Sequence, residues 1–358
     1  MKNKIALAAA FLAATSYSTA EIVINDFLSF EGFVDMSYTH TDMDNPEGNE
    51  NSFAVDQVEV SWLFDFDPVT AQIDFTHLGS DSSRNLQGSH AGQPIGARGP
   101  VDIDNAGIEQ AFATYHMDNG SAITAGLYAS MLGFEAFEPT GLYQYSFAYD
   151  VDVLLPGYAQ GVKYTYEQDN TFFGISVQDA GYDRGVGRLG GNQDPSSFAV
   201  EAAGSIAMDN GVSFFLGGIF EESDSAGADD IDSYVINSYV TFETGAWIFA
   251  GELNYGETDS DLYGLALGAD PETEVLSALV MANFAYSEAA SVTGRISYID
   301  FDADSSNVSA DDDWMKFTLA HGYAFTDNLF LVNEISYSEF DEAETETLSA
   351  AVELIFSF

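Results

Sequence analysis

The chain contains no cysteine among its 358 residues, so neither disulfides nor thiolate metal sites can carry its structure or chemistry. Stability must come from hydrogen-bonded backbone and buried or lipid-covered apolar surface. Positive charge is almost as scarce: nine Lys and Arg stand against 58 Asp and Glu, a formal net charge of -49. That balance argues against nucleic acid or any anionic surface as a partner. No stretch beyond the amino terminus offers about eighteen uninterrupted apolar residues, which excludes a membrane-spanning helix, and no segment sustains helical periodicity. The five histidines, His40, His77, His90, His116 and His321, are scattered and none stands in a serine-hydrolase signature such as G-x-S-x-G. No cofactor is expected.

What is present excludes disorder as the reason for the acidity, since 46% of residues are hydrophobic and 14% aromatic. Residues 1–20 carry Lys2 and Lys4, an apolar run over 5–14, and small residues at Ser18 and Ala20. This is the pattern of a secretory signal peptide, which places the mature start at Glu21 and leaves 21–358 as one domain. Losing Lys2 and Lys4 makes the remainder more acidic still. Adaptation to salty surroundings and attraction of cations are both compatible with that charge.

From Phe27 onward, segments of about ten to fourteen residues alternate apolar and polar positions, as membrane-spanning strands do. Leu28, Phe30, Val34, Met36 and Tyr38 oppose Ser29, Glu31, Asp35 and Ser37; Val58, Val60, Trp62, Phe64 and Phe66 oppose Gln57, Glu59, Ser61 and Asp65. About sixteen strands follow from this pattern, near 26–40, 53–66, 69–78, 106–117, 121–130, 158–167, 171–180, 197–208, 212–222, 232–243, 246–257, 273–286, 290–301, 313–325, 328–340 and 346–358. The segment 106–117 fits least well, because Gln110 interrupts its apolar side. Tight turns such as Asp118-Asn119-Gly120 and Asp209-Asn210-Gly211 alternate with long polar connections. Short turns on one rim and long loops on the other predict an all-β, transmembrane, antiparallel up-and-down barrel with short periplasmic turns and long extracellular loops. Aromatics near strand ends (Tyr38, Phe66, Tyr166, Phe172, Phe242, Trp247, Tyr255, Tyr298, Phe325 and Tyr337) read as two girdles in outer-membrane lipid.

A lipid-embedded sheet cannot keep an unpaired edge, so the last strand must pair with the first. On that last strand Leu348, Ala350, Val352, Leu354, Phe356 and Phe358 share one face. The run ending on Leu354, Phe356 and Phe358 resembles the terminal strand of Gram-negative outer-membrane proteins. The resemblance implies an assembly signal read by the barrel-assembly machinery, and localisation in the cell outer membrane.

About sixteen strands leave an aqueous channel, where about eight would be filled by side chains. The expected inward faces are polar, including Gln72, Asp74 and Thr76; Lys163, Thr165 and Glu167; Glu252 and Asn254; Arg295 and Ser297; Lys316 and Thr318; and Glu334 with Ser336. The connection 130–157 differs from the other long ones in being apolar and aromatic, with Phe134, Phe137, Leu142, Tyr143, Tyr145, Phe147 and Tyr149. Such a loop must pack against something. Ala125-Gly126-Leu127, the Leu-Gly-Phe-Glu step at 132–135 and Gly161-Val162-Lys163-Tyr164 give this region a resemblance to the putative beta-barrel porin-2 family. That resemblance implies a channel, and the place of the loop after the fifth strand matches the inserted constriction of porins.

Folded inward, the loop would set Glu135, Glu138, Asp150 and Asp152 as the acidic side of an eyelet, opposite Lys163, Arg295 and Lys316. Such a field orients dipolar solutes, while the acidic excess favours cations. The alternatives are that the loop plugs the barrel or covers a subunit interface. Asp300, Asp302, Asp304 and Asp311 space their carboxyls somewhat like a calcium loop, but Ser305 stands where the turn glycine belongs and Asp311 where the bidentate glutamate belongs, so surface solvation is the plainer reading. The expected function is passive diffusion of small hydrophilic solutes and cations, with a homotrimer suggested by analogy alone. A barrel hydrolase and a surface adhesin or receptor are the competing readings.

Overall fold

Side chains that alternate between lipid and lumen leave each strand's backbone to be satisfied only by its two neighbours, and the computed structural model pairs every strand of the barrel on both edges. The structure describes residues 21–43, 49–78, 106–149, 153–179, 197–223, 231–259, 271–305, 309–341 and 345–358. The proposed signal peptide, residues 1–20, lies outside them.

The strands are β1 (Ile22–Asn25), β2 (Leu28–Met43), β3 (Asn49–Asp65), β4 (Val69–Leu78), β5 (Ala106–His116), β6 (Ser121–Ala129), β7 (Tyr158–Gln168), β8 (Thr171–Gln178), β9 (Ser197–Ala207), β10 (Val212–Ser223), β11 (Ile231–Thr244), β12 (Trp247–Thr258), β13 (Glu272–Ser287), β14 (Ala290–Asp304), β15 (Ser309–Thr326), β16 (Leu329–Phe340) and β17 (Thr345–Ser357). They form one antiparallel sheet of seventeen strands. The four residues of β1 add to β2 at the rim, so the closed ring is the sixteen strands β2 to β17. Closure runs from Ser357 opposite Phe33 to Thr347 opposite Met43.

The distribution of apolar surface is the reverse of a water-soluble protein's. On β13, Thr273, Val275, Ser277 and Leu279 are buried inside while Leu276 and Val280 are exposed outside. On β17, Leu348, Val352 and Phe356 face out, whereas Ala351, Glu353, Ile355 and Ser357 face in. An exposed apolar belt of this kind is a lipid-facing surface. Aromatic rings reinforce its edges: Phe27 stacks on Phe66 at 5.5 Å and Trp247 on Phe284 at 4.4 Å near the short turns, and Tyr38 meets Phe53 at 4.5 Å on the opposite rim. Phe172, expected in a girdle, is instead packed against the interior cluster, because its strand position points inward.

Several strands outrun their expected bounds. Pairing continues to Asp42 opposite Asn49 and to Asp304 opposite Ser309, so the expected loops 41–52 and 302–312 are largely strand. A hydrogen-bonded ladder needs no apolar side chains, and charged residues can continue it above the lipid. The doubtful strand 106–117 forms as β5, with a bulge: Asp74 opposes Gln110 but Phe75 opposes Ile108, leaving Glu109 as the extra residue. That extra residue lets Glu109 and Gln110 both face the lumen, which is why the alternation broke there.

The carboxyl-terminal seat depends on one glycine. Gly32 N donates to Phe358 O and Phe358 N to Gly32 O, both at 2.9 Å, and a Cβ on Gly32 would stand 2.9 Å from the Phe358 ring. Gly32→Val should therefore cost about 1–3 kcal/mol through overpacking and lower the folded fraction seen by heat-modifiable gel mobility. Gly294→Val, with nothing within 4 Å of an added Cβ, should leave that fraction unchanged.

Candidate functional site

The segment 130–157 joins β6 to β7, and its base is closed by Ser130 N donating to Gly157 O at 2.8 Å. Apart from a single 3-10 turn at Pro139–Gly141, its described residues have no regular structure with which to satisfy their own backbone. Its apolar residues cannot be left in water, and they are not: Leu132, Phe134, Tyr149, Val153, Leu154 and Leu155 are buried in one cluster with wall residues that include Phe215, Val235, Leu279, Ile299 and Trp314. The segment therefore folds into the barrel. Glycines on the wall make room for it, since a Cβ on Gly217 would stand 2.5 Å from Leu132 Cδ2 and one on Gly256 would stand 2.9 Å from Leu154 Cδ1.

Backbone groups buried in this way need partners, and charged and amide side chains of the wall supply them. Glu201 accepts from Met131 N at 2.6 Å, Asn237 from Gly133 N at 3.0 Å, Glu252 from Phe134 N at 2.7 Å and Glu334 from Ser146 N at 3.0 Å. The carbonyls are met by bases. Arg295 donates to Ser146 O at 2.9 Å and Phe147 O at 2.8 Å, and Lys316 donates to Phe147 O at 3.1 Å. Inside the segment, Glu135 accepts from Ala148 N at 2.7 Å and from Gln144 at 2.7 Å. These contacts run round β9, β11, β12, β14, β15 and β16, with Tyr145 reaching Ser37 of β2 at 3.4 Å.

This changes the expected eyelet. Glu135 does not face Arg295 across an opening; the two form a direct, buried ion pair. Lys163 is not on the same bank as Arg295 and Lys316. It sits on β7, seven strands from β14 in a ring of sixteen, with its Nζ 4.4 Å from the centre of the Tyr128 ring and 3.4 Å from Ala129 O. Asp150 and Asp152 lie outside the described residues. Glu252, Arg295, Lys316 and Glu334, expected on the polar face that lines an aqueous channel, do face inward, but they bond to the backbone of the inserted segment.

Glu138 goes the other way, towards β3 and β5. It stands just before the 3-10 turn without a side-chain capping bond, accepts from Gln57 at 2.8 Å and from Tyr158 at 3.3 Å, and brings a carboxylate oxygen within 4.8 Å of those of Glu59 and Glu109. Burial, and then the charge of Glu109, pushes the Glu138 carboxyl well above the usual carboxylate range. Burial and the nearby Glu252 likewise push the Tyr149 phenol up. Asp74 lies on the same wall, held by Gln110 at 2.7 Å and Gln72 at 2.9 Å.

Neither Glu59 nor Glu109 was singled out by sequence reasoning. Two consecutive polar residues, Glu109 and Gln110, in the middle of an alternating strand were the available signal, since a bulge is the usual cause. Asp300, Asp302, Asp304 and Asp311 do not form a loop cage: they stand on the paired ends of β14 and β15, with Asp302 opposite Asp311. Among the described residues a second close carboxylate group is Glu257, Glu272 and Glu274, at the exposed rim. The described histidines sit on separate strands, with His116 bonded to Thr70 at 2.8 Å and His321 to Tyr286 at 2.7 Å.

A family model described as Putative beta-barrel porin-2, OmpL-like matches residues 28–358. No curated protein matches the sequence. Three solved structures share the architecture. The outer membrane channel DcaP of Acinetobacter baumannii is 13% identical, covering 92% of this chain and 97% of its own, with a TM-score of 0.65. The trimer form of in-vitro folded OmpT, an outer membrane protein of Vibrio cholerae, is 10% identical over 93% of this chain and 100% of its own, with a TM-score of 0.63. An anion-selective porin from Comamonas acidovorans is 10% identical over 92% and 99%, with a TM-score of 0.61. Identities this low establish a common barrel and nothing finer.

Proposed function

Because the chain belongs to the Putative beta-barrel porin-2, OmpL-like family, we propose that this porin passes small hydrophilic solutes and ions by passive diffusion, prefers cations, and uses the inserted segment 130–157 as its constriction. Residues 1–20 would be its export signal, the barrel-assembly machinery would read Leu354, Phe356 and Phe358, and a homotrimer would be its assembly in the outer membrane.

The observation that carries the preference is the charge inside the wall. Among the described residues, buried side chains include the carboxylates of Asp35, Asp56, Glu59, Asp74, Glu109, Glu135, Glu201, Glu221, Glu252, Glu334 and Glu353, against Arg295 and Lys316 as buried bases and Lys163 as a half-buried one. Arg295 and Lys316 are already committed to carbonyls of the inserted segment. A narrow, low-dielectric passage focuses such an excess into a potential that concentrates cations and repels anions. The neighbour named as anion-selective shares only the fold, and the sign of selectivity belongs to the inward charges rather than to the barrel.

Planar bilayers under a tenfold KCl gradient test this. The reversal potential should take the cation sign, with a permeability ratio for potassium over chloride of roughly threefold or more. A potential of the anion sign would overturn the preference, and absence of conductance by the folded protein would overturn the channel.

A further inference from the structure

We propose that Glu59, Glu109 and Glu138 bind one hard divalent cation of the Ca2+ class, which ties the inserted segment to the barrel wall. The proposal goes beyond ion passage: a tightly held ion can clamp the segment whichever ions the channel conducts.

Three elements deliver the ligands. Glu59 comes from the inward face of β3, Glu109 from the bulge in β5, and Glu138 from the segment itself at the start of its 3-10 turn. One carboxylate oxygen from each lies within 4.8 Å of the others. Oxygens this close can enter the coordination shell of one hard divalent cation such as Ca2+. A donor set of carboxylates alone, without imidazole or thiolate, suits a hard cation rather than zinc or copper.

The group is not explained by its own hydrogen bonds. Glu138 receives Gln57 and Tyr158, and Glu59 receives Ser61 at 3.2 Å and Gln57 at 3.4 Å. Glu109 is different: its side chain is 9% exposed, and its buried Oε2 has no hydrogen-bond partner. A buried acceptor with nothing to accept from is costly, and here a bulge is used to aim it at two further carboxylates. A divalent cation satisfies that oxygen and the mutual repulsion together. The clamp also completes the loop's attachment, because the backbone contacts described above hold it to β9 through β16, while Glu138 is its tie to β3 and β5.

Tb3+, which has the ligand preferences of Ca2+, reports the site through tyrosine-sensitised luminescence, since the Tyr158 hydroxyl is 3.3 Å from Glu138. The full-length barrel, folded in detergent and stripped with chelator, should give saturable emission that Ca2+ displaces. Glu109→Gln should weaken binding at least about tenfold, and Tyr158→Phe should dim the emission while leaving Ca2+-dependent thermal stabilisation in place. Replacing the exposed trio (E257Q, E272Q, E274Q) should leave the interior signal intact. Glu59→Gln is a second variant with the same expectation as Glu109→Gln, and folding of each is checked by heat-modifiable mobility. Superimposable titrations for wild type and both folded glutamine variants would overturn the site. So would emission that Ca2+ fails to displace, or that disappears with the exposed trio.

Discussion

Arg295→Met is expected to open the channel and to make it more cation-selective in one step. Arg295 is 2% exposed, and its guanidinium pairs with Glu135 while also donating to Ser146 O, Phe147 O and Thr318. Methionine keeps much of the stem's volume, so the wall is not holed. It supplies no donor. Removing one partner of a buried ion pair costs about 3–5 kcal/mol, which corresponds to a shift of about two to four orders of magnitude in the docking equilibrium of the segment. Glu135 is then left buried and unpaired with two carbonyls beside it, and the cheapest remedy is for that part of the segment to leave the wall and hydrate. Single-channel conductance should rise, and the segment should become a site of proteolytic cleavage in folded protein. Loss of a buried base should also move the reversal potential further towards the cation limit. Unchanged conductance with a folded, protease-resistant barrel would show that the segment does not limit flow.

The barrel was legible in the sequence because its cause is local. Alternation along 346–358, and the contrast between tight turns and long polar connections, follow directly from a two-residue repeat exposed to lipid on one side and to the lumen on the other. The inward fold of 130–157 was legible for a similar reason: Phe134, Tyr145 and Tyr149 in a loop have to be buried somewhere. What could not be read was who partners whom across the lumen. Glu135 meets Arg295 at a separation of 160 residues, and Glu252 meets Phe134 at 118. A pattern of period two fixes which face a side chain takes, but not which irregular backbone will come to rest against it.

The same limit explains the misjudged eyelet. Lys163, Arg295 and Lys316 all face inward, and inward bases near an acidic loop suggest an opposed field. Their places on the ring were not encoded in that count, and the carbonyls of Ser146 and Phe147 take Arg295 and Lys316. Glu109 was hidden because the bulge that aims it inward is the same feature that weakened the reading of its strand.

The wall acids allow geometry and charge to be separated. Replacing Glu201 and Glu252 together by alanine should raise conductance and lower cation preference, the opposite pairing of effects from Arg295→Met. Glu201 accepts from Ser130 Oγ and Met131 N, both at 2.6 Å, and Glu252 accepts from Phe134 N at 2.7 Å and Tyr149 Oη at 3.1 Å. Each buried donor left without an acceptor costs about 1–3 kcal/mol, so several kcal/mol of docking energy disappear along with two negative charges. The paired glutamine variant, E201Q with E252Q, removes the same charges but keeps a carbonyl oxygen in each place. Its cation preference should fall as far as the alanine pair's, while its conductance stays near that of the wild type. Equal conductance in the alanine and glutamine pairs would mean that these carboxylates do not hold the segment. Equal selectivity in all three proteins would mean that permeating ions do not feel them, and the negative potential would then have to come from the Glu59, Asp74 and Glu109 side of the lumen.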